Sequence, residues 1–267
     1  ENKGSYYQDG TGDRLNSTGS AETAAGSGDF CVEFFTYYTS YAGQYTTIFS
    51  TKTSNQQTQT GYGIGVENNG TIYNYSSGYI TESASGVFFL NTWNHVVFTR
   101  SGTTARLFLN GILRATGTNS QNFSNQAFAV GSHTGGAEPM AGYVSNVRFV
   151  KGSIPSEYQT SSTTVNDNIF TPPTAPAGNT GASLYLPFDN AGVFDKTGLH
   201  NVVLNDTTVV SSAQSKYAGS SLALTSRTFK VDYSPAMSIG ANDFTMEMWA
   251  YPTDSSAGTL WSAGYDG

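Results

Sequence analysis

Residues 105–116 read ARLFLNGILRAT, two short apolar runs joined by Asn110-Gly111. That dipeptide accepts positive φ at both central positions of a type I′ turn, whose twist suits a two-residue β-hairpin. Residues 92–100 (TWNHVVFTR) and 142–152 (GYVSNVRFVKG) read as further strands. In residues 30–37, Phe30, Val32 and Phe34 alternate against Cys31, Glu33, Phe35 and Tyr37. No window sustains the three-and-four apolar spacing of an amphipathic helix. Short strands between Gly, Asn and Ser turns, without helices, predict an all-β chain folded as an antiparallel β-sandwich or jelly roll. Apolar residues on both faces of residues 30–37 predict one face in the core and the other partly covered. A curved sheet with a semi-exposed concave face fits, and such a face is a usual seat for an extended ligand.

The strand phrase occurs twice. GDFCVEFFTYYTS occupies residues 28–40 and NDFTMEMWAYPTD residues 242–254, the second copy also reading as a half-buried strand. Gly26, Asp29, Phe30, Glu33 and Tyr37 recur as Gly240, Asp243, Phe244, Glu247 and Tyr251, all 214 residues on. TIFS at residues 47–50 recurs as TLWS at 259–262. This period is too long for a solenoid and predicts tandem domains. Between the copies, Pro155, Pro172, Pro173 and Pro176 punctuate a stretch without periodicity, a linker or a surface-hugging tail. The predicted organisation is a jelly roll lacking its first strand (1–152), a Pro/Ser/Thr-rich linker or tail (153–181), and the N-terminal part of a second jelly roll (182–267).

Composition removes several function classes. Seventeen Tyr and 16 Phe in 267 residues argue for a folded core rather than a disordered linker. A net charge of −7, with scattered basic residues, argues against nucleic acid as a partner. No apolar run approaches the roughly 20 residues of a membrane helix, and ENKGSYYQDG lacks the regions of a signal peptide. The one cysteine, Cys31, forms no intramolecular disulfide; Thr245 stands at its place in the second copy, and a packed thiol is expected.

The phrases DFTMEMWAYPTD, WNHVVFTR and LFLNGIL together resemble the laminin-G-like, concanavalin A-like jelly-roll superfamily. The stretch LYLPFDNAGVFDKTGLHNVVLNDTTVVSSAQSKYAGSSLAL is similar to a domain start in that group. GYVSNVRFVKG followed by FTPPTAP resembles the form found in bacteriophage tail-fibre and other virion structural proteins. The resemblance implies a virion-surface, extracellular protein (tail fibre, appendage or capsid decoration) of tandem laminin-G-like domains. Its implied partners are other virion proteins or copies of itself, and host surface polysaccharide. Many relatives carry an acidic pair in the closing strand, where this chain has Ser145-Asn146. That loss weakens a calcium claim, since calcium needs several hard oxygens, and no cofactor or metal is predicted.

Same-fold glucanases set two or three carboxylates along one strand. Glu33 and Glu247 each stand alone, with Phe35 and Trp249 two positions on, so no catalytic residue and no enzymatic activity are predicted. Of three histidines, His95 is expected to pack within a strand and His133 shares a loop with Glu138. No cluster including His200 has metal-ligand spacing, and no Ser-His-Asp arrangement is evident. Carbohydrate binding is the alternative function. Sugar rings stack their C–H faces on aromatics and hydrogen-bond to Asn and Ser. NNGTIYNYSSGY offers Tyr73, Tyr75 and Tyr79 with Asn74, the predicted glycan site. Tyr37, Tyr38, Tyr41 and Tyr45 form a second aromatic crowd.

Overall fold

The computed structural model describes residues 5–54, 60–176 and 178–188, and further on 202–204, 209–211, 213–216, 221–224, 229–231, 240–241, 243–253 and 259–262. The chain divides into two compact units, Glu1–Ala191 and Gly192–Gly267.

The first unit holds, in order, β1 (Tyr6–Asp9), β2 (Leu15–Ser17), β3 (Phe30–Ser40), β4 (Tyr45–Ser50), β5 (Gly63–Glu67), β6 (Ile72–Tyr75), β7 (Tyr79–Glu82), β8 (Trp93–Ser101), β9 (Thr104–Leu109), β10 (Ile112–Thr118), β11 (Phe128–Val130), β12 (Ala141–Lys151) and β13 (Leu184–Leu186). One antiparallel sheet, A, runs β1-β12-β3-β8-β9-β10; a second, B, runs β2-β11-β4-β5-β6-β7. They pack as the expected sandwich. The predicted hairpin joins β9 to β10, with Asn110 at φ 53° and Gly111 at φ 82°. Glycine serves a second purpose there, since a Cβ at residue 111 would stand 1.9 Å from the Phe170 carbonyl oxygen.

Alternation assigns the faces. Phe30, Val32 and Phe34 enter the core between the sheets, with Val96, Phe98 and Leu107 beside them and Ile48, Ile64, Val66 and Ile72 opposite. The Phe30 ring centroid lies 5.3 Å from that of Tyr62, 5.6 Å from Phe98 and 6.0 Å from Phe123. Burying each such side chain stabilises the fold by about 1.5–3 kcal/mol. Arg100 closes this cluster, its guanidinium 4.9 Å above Phe30 and donating to the carbonyls of Gly26, Gly28 and Gln121.

The other face of β3 is also covered, by the chain's own tail. Cys31, Val97, Phe108, Leu113 and Val150 form a second apolar cluster beneath Ile154, Tyr158, Ile169 and Phe170. The tail is tied to β10 and the preceding turn through Leu113 N to Asp167 O (2.9 Å), Asn166 N to Leu113 O (2.7 Å) and Ile169 N to Gly111 O (2.9 Å). Cys31 is packed as expected, and burial pushes its thiol well up. At this end of sheet A, therefore, no ligand-accessible face remains at Glu33. Its Oε1 accepts from Arg148 Nη1 at 2.9 Å, its Oε2 accepts from the Tyr158 hydroxyl, and His95 Nε2 stands 3.4 Å from Oε2. Arg148 also donates to Glu157 (3.3 Å) and to Thr180 O (3.0 Å).

Leu184–Leu186, read from the sequence within the second domain, lies in the first unit. It pairs with Val147–Phe149 of β12, while β1 pairs with the Ala141–Val144 end of the same strand. In the second unit Val202–Leu204 pairs with Phe229–Val231 and Val209–Ser211 with Ser221–Ala223. Residues 221–223 and 229–231 stand 214 positions after residues of β1 and β2. Residues 243–250, expected as a half-buried strand, are not in a strand; Phe244 and Trp249 are 64% and 69% exposed. The first copy of this phrase is a strand between β8 and β12, and the described residues of the second unit hold no such flanking pair.

Removing one partner of a buried ion pair leaves the other charge stranded, so Arg148→Ala should cost about 3–5 kcal/mol in a urea titration. Burial pushes the Glu33 carboxyl up, but hydrogen bonds from His95 and Tyr158 and the charges of His95 and Arg148 outweigh it. The group therefore titrates below its ordinary value of 4.5. A depressed carboxyl contributes stability that is present above its unfolded pKa and lost as pH falls through its folded one. Stability should accordingly fall below pH 4.5, and Glu33→Gln should flatten that acid limb.

Candidate functional site

The outer face of sheet B is built differently. Across β4, β5, β6 and β7 the register sets Thr47 opposite Gly65, Gly65 opposite Tyr73, and Tyr73 opposite Glu82. The next row is Ser50, Gly63, Tyr75 and Tyr79. Two glycines thus stand in the middle of the sheet, where β-branched residues would normally pack. Neither has a left-handed φ; what they supply is space. A Cβ at Gly65 would lie 2.4 Å from Thr46 O and 2.6 Å from Tyr73 Oη, and one at Gly63 3.4 Å from His133 Cε1. Glycine inside a strand marks a place where something approaches the backbone closely. The space over Gly65 is taken by the Tyr73 ring, while beside Gly63 lies a pocket of about 200 Å³ lined by Tyr45, Thr47, Gly63, Tyr73, Tyr75, Tyr79, His133 and Glu138.

The tyrosines meet edge to face. Tyr79 lies 5.5 Å from Tyr73 at 77° and 5.6 Å from Tyr75 at 75°, and Tyr45 lies 6.3 Å from Tyr73 at 85°. Tyr73 is the buried member, 5% exposed, and burial raises its phenol pKa well above the ordinary value. Tyr79 Oη donates to Glu67 Oε1 at 2.7 Å, fixing the rim. One face of Tyr75 is taken by the Lys52 ammonium, 4.2 Å from the ring centroid, which also donates to Ser76 O. Burial lowers the Lys52 pKa to about 8, with Glu138 opposing the shift.

The polar wall comes from the loop before β12. Glu138 holds φ 56° although it precedes Pro139, a conformation that costs about 1–3 kcal/mol in a non-glycine residue. Its Oε2 accepts from Thr47 Oγ1 at 3.1 Å and pairs with His133 Nε2 at 3.3 Å. A carboxylate only accepts, so Nε2 carries the proton, and Nδ1 stands 2.8 Å from Ser50 Oγ. Ser50, His133 and Glu138 therefore line up as serine, imidazole and carboxylate, an arrangement the sequence had not revealed. Ser50 is fully buried, however, and its Oγ also accepts from Lys52 N, which removes it from any substrate. The line orients Glu138; it does not arm a nucleophile.

Of the residues predicted from sequence, Tyr73, Tyr75 and Tyr79 come together on this face. Asn74 does not. Strand alternation turns it to the core side with Ile72, where it is fully buried and donates to Gly63 O at 3.1 Å. His133 and Glu138 join the pocket, His95 lies in the Glu33 cluster, and His200 falls outside the described residues. Ser145 and Asn146 hydrogen-bond to each other, and Tyr185 donates to Asn146. Among the described residues no group of three or more His, Cys, Asp or Glu side chains could hold a metal ion. None of the helices there is long and apolar enough to cross a membrane. Sequence reasoning missed Gly63, Gly65 and Lys52; the signal for the glycines was Gly-Ile-Gly inside an otherwise apolar strand.

A second aromatic row lies on the outer face of sheet A. Tyr7, Tyr143, Tyr37 and Trp93 stand directly opposite one another on β1, β12, β3 and β8, with centroids 4.9, 6.1 and 5.7 Å apart. Tyr7 and Trp93 are about half exposed.

A family model described as the concanavalin A-like lectin/glucanases superfamily, of the laminin-G type, matches residues 9–157. The chain belongs to that superfamily. No curated protein matches it in sequence. Among solved structures, the CBM40 of a Ruminococcus gnavus sialidase, bound to α2,3-sialyllactose, shares 12% identity over 58% of this chain and 92% of that one, with a TM-score of 0.47. Domain 4 of the extracellular GH43 arabinanase of Geobacillus stearothermophilus, in complex with arabinotriose, shares 15% over 57% and 72%, with a TM-score of 0.44. Domains LG4-5 of the mouse laminin α1 chain share 13% over 55% and 40%, with a TM-score of 0.42.

Because the Gly65 contacts are backbone and a packed ring, Gly65→Ala should destabilise the superfamily domain by about 1–3 kcal/mol. It should also displace Tyr73, seen as a changed near-ultraviolet tyrosine signal on a preserved far-ultraviolet β spectrum.

Proposed function

We propose that this chain is a non-enzymatic carbohydrate-binding module and that the Tyr73 pocket receives a single sugar ring. The observation that carries the reading is Gly63, which opens a floor between Tyr73, Tyr75 and Tyr79 on one side and an oriented carboxylate on the other. Aromatic rings suit the C–H faces of a pyranose, and a fixed acceptor such as Glu138 suits its hydroxyls. The superfamily's name spans lectins and glucanases. Glycosidases need two carboxyl groups flanking the bond, and among the described residues lining this pocket Glu138 is the one carboxylate. Glu33, the other candidate, is sealed under the tail.

We further infer that the module works at the surface of a phage particle, in tandem with like domains, its partners being neighbouring virion proteins and host polysaccharide. What supports this setting is the closing phrase GYVSNVRFVKG with FTPPTAP, and the recurrence of Glu33 and its neighbours 214 residues on.

A glycan array probed with the chain should give saturable hits. Tyr73→Ala and Glu138→Gln should each weaken them at least tenfold, while Trp93→Ala, on the other sheet, leaves them unchanged. Loss on Trp93→Ala alone would move the site to the aromatic row of sheet A, and silence across a broad array would sink the reading.

A further inference from the structure

Where residues 152–162 turn back over β8 and β9, a cleft of about 590 Å³ lies between sheet A and the tail. It is separate from the Tyr73 pocket, which opens on sheet B. Thr99, Ser101, Thr160 and Ser161 bring hydroxyls to its walls, and Arg106 lines it. Arg106 stands directly opposite Thr99 in the register and is 7% exposed.

The three buried arginines of this unit are treated unequally. Arg148 is neutralised by Glu33 and Glu157. Arg100 donates to three backbone carbonyls and to Asn119. Arg106 donates from Nε to Ser162 O at 2.8 Å, and among the described residues no carboxylate stands within 4 Å of it. A guanidinium has five N–H donors, so four remain beside the cleft. Burial depresses the Arg106 pKa without any neighbouring charge to offset it. A desolvated cation without a counter-charge is costly, and a planar fork of donors matches a carboxylate in bidentate fashion. Asp29 also lines the cleft, with Oδ1 accepting from Gly102 N at 2.7 Å. Its charge weighs against a multiply charged occupant and leaves room for a monoanion. The hydroxyl-rich walls match a polyhydroxylated ligand rather than an apolar one.

We propose that this cleft holds the carboxylate of an acidic sugar, with the Arg106 guanidinium as its anchor and the wall hydroxyls as partners for the ring. Glucuronate and glucose are titrated into the wild-type chain at matched ionic strength, following amide shifts by NMR. Saturable shifts at Thr99, Ser101 and Ser161 are expected with glucuronate and none with glucose. Arg106→Gln should weaken glucuronate binding at least tenfold, and Arg106→Lys, which keeps the charge but loses the fork, should weaken it less. Neither should lower the melting temperature as Arg148→Ala does, because Arg106 has no paired buried charge to strand. Tyr73→Ala should leave glucuronate binding intact, so this site and the Tyr73 pocket fail separately. The proposal is overturned if glucuronate gives no saturable shift at these amides, or if Arg106→Gln binds it as wild type does. It is equally overturned if sulfate, phosphate or a short oligoglutamate binds there as tightly.

Discussion

Glu33 is a carboxylate with almost no water around it, and a group so placed must be met by donors. They converge from three distant parts of the chain: His95 from β8, Arg148 from β12 and Tyr158 from the tail. An ion pair this deep adds little net stability over a well-packed apolar cluster, because desolvation consumes most of the Coulomb gain. What it adds is direction. The apolar tail residues Ile154, Ile169 and Phe170 could slide over Cys31 and Val97 at small cost, whereas the Tyr158 hydroxyl reaches Glu33 from one seating. The carboxylate thereby turns a Pro-punctuated segment into a cover with a defined course.

Covering one sheet in this way leaves the two outer faces unlike. The outer face of sheet A is spent at its tail end on burying apolar side chains; the outer face of sheet B keeps tyrosines and glycines. Tyrosine suits a half-wet face, since its ring packs while its hydroxyl meets solvent or ligand. Three such rings set edge to face hold one another in place. On the opposite wall, the strained backbone of Glu138 persists because Thr47, His133 and the backbone bond from Thr47 N to Glu138 O (2.8 Å) over-determine it. Both walls are therefore preorganised, which reduces the ordering cost of binding.

Much of the fold could be read from local chemistry. Asn110-Gly111 marked its hairpin because few dipeptides accept two positive φ values, and the alternation in residues 30–37 assigned both faces correctly. The site was half legible. Tyr73 and Tyr75 share a face because spacing by two puts residues on one face, and Tyr79 joins them from β7 by pairing with Tyr75. The same rule excludes Asn74, which the sequence reading had grouped with them by composition alone. The glycine floor was not foreseen, since a glycine in a strand is visible in sequence while the side chains it makes room for belong to strands chosen by tertiary pairing. Ser50 and His133 are 83 residues apart, and only the return of the loop before β12 onto β4 joins them.

The repeated phrase carries this point further. Residues 28–40 and 242–254 share an acid, aromatics and an alternating pattern, yet in the structure the first is an eleven-residue strand and residues 243–250 of the second are not a strand. Intrinsic preference is thus nearly constant between the two while the outcome differs. β-structure is settled by what lies across the strand, and strand propensity is largely a measure of fit to neighbours. In the first copy those neighbours are β8 and β12, and they bring with them His95 and Arg148, two of the three donors to Glu33. The strand and its buried charge therefore need the same partners. In the first copy, the lone glutamate amid apolar residues marks a covered sheet face.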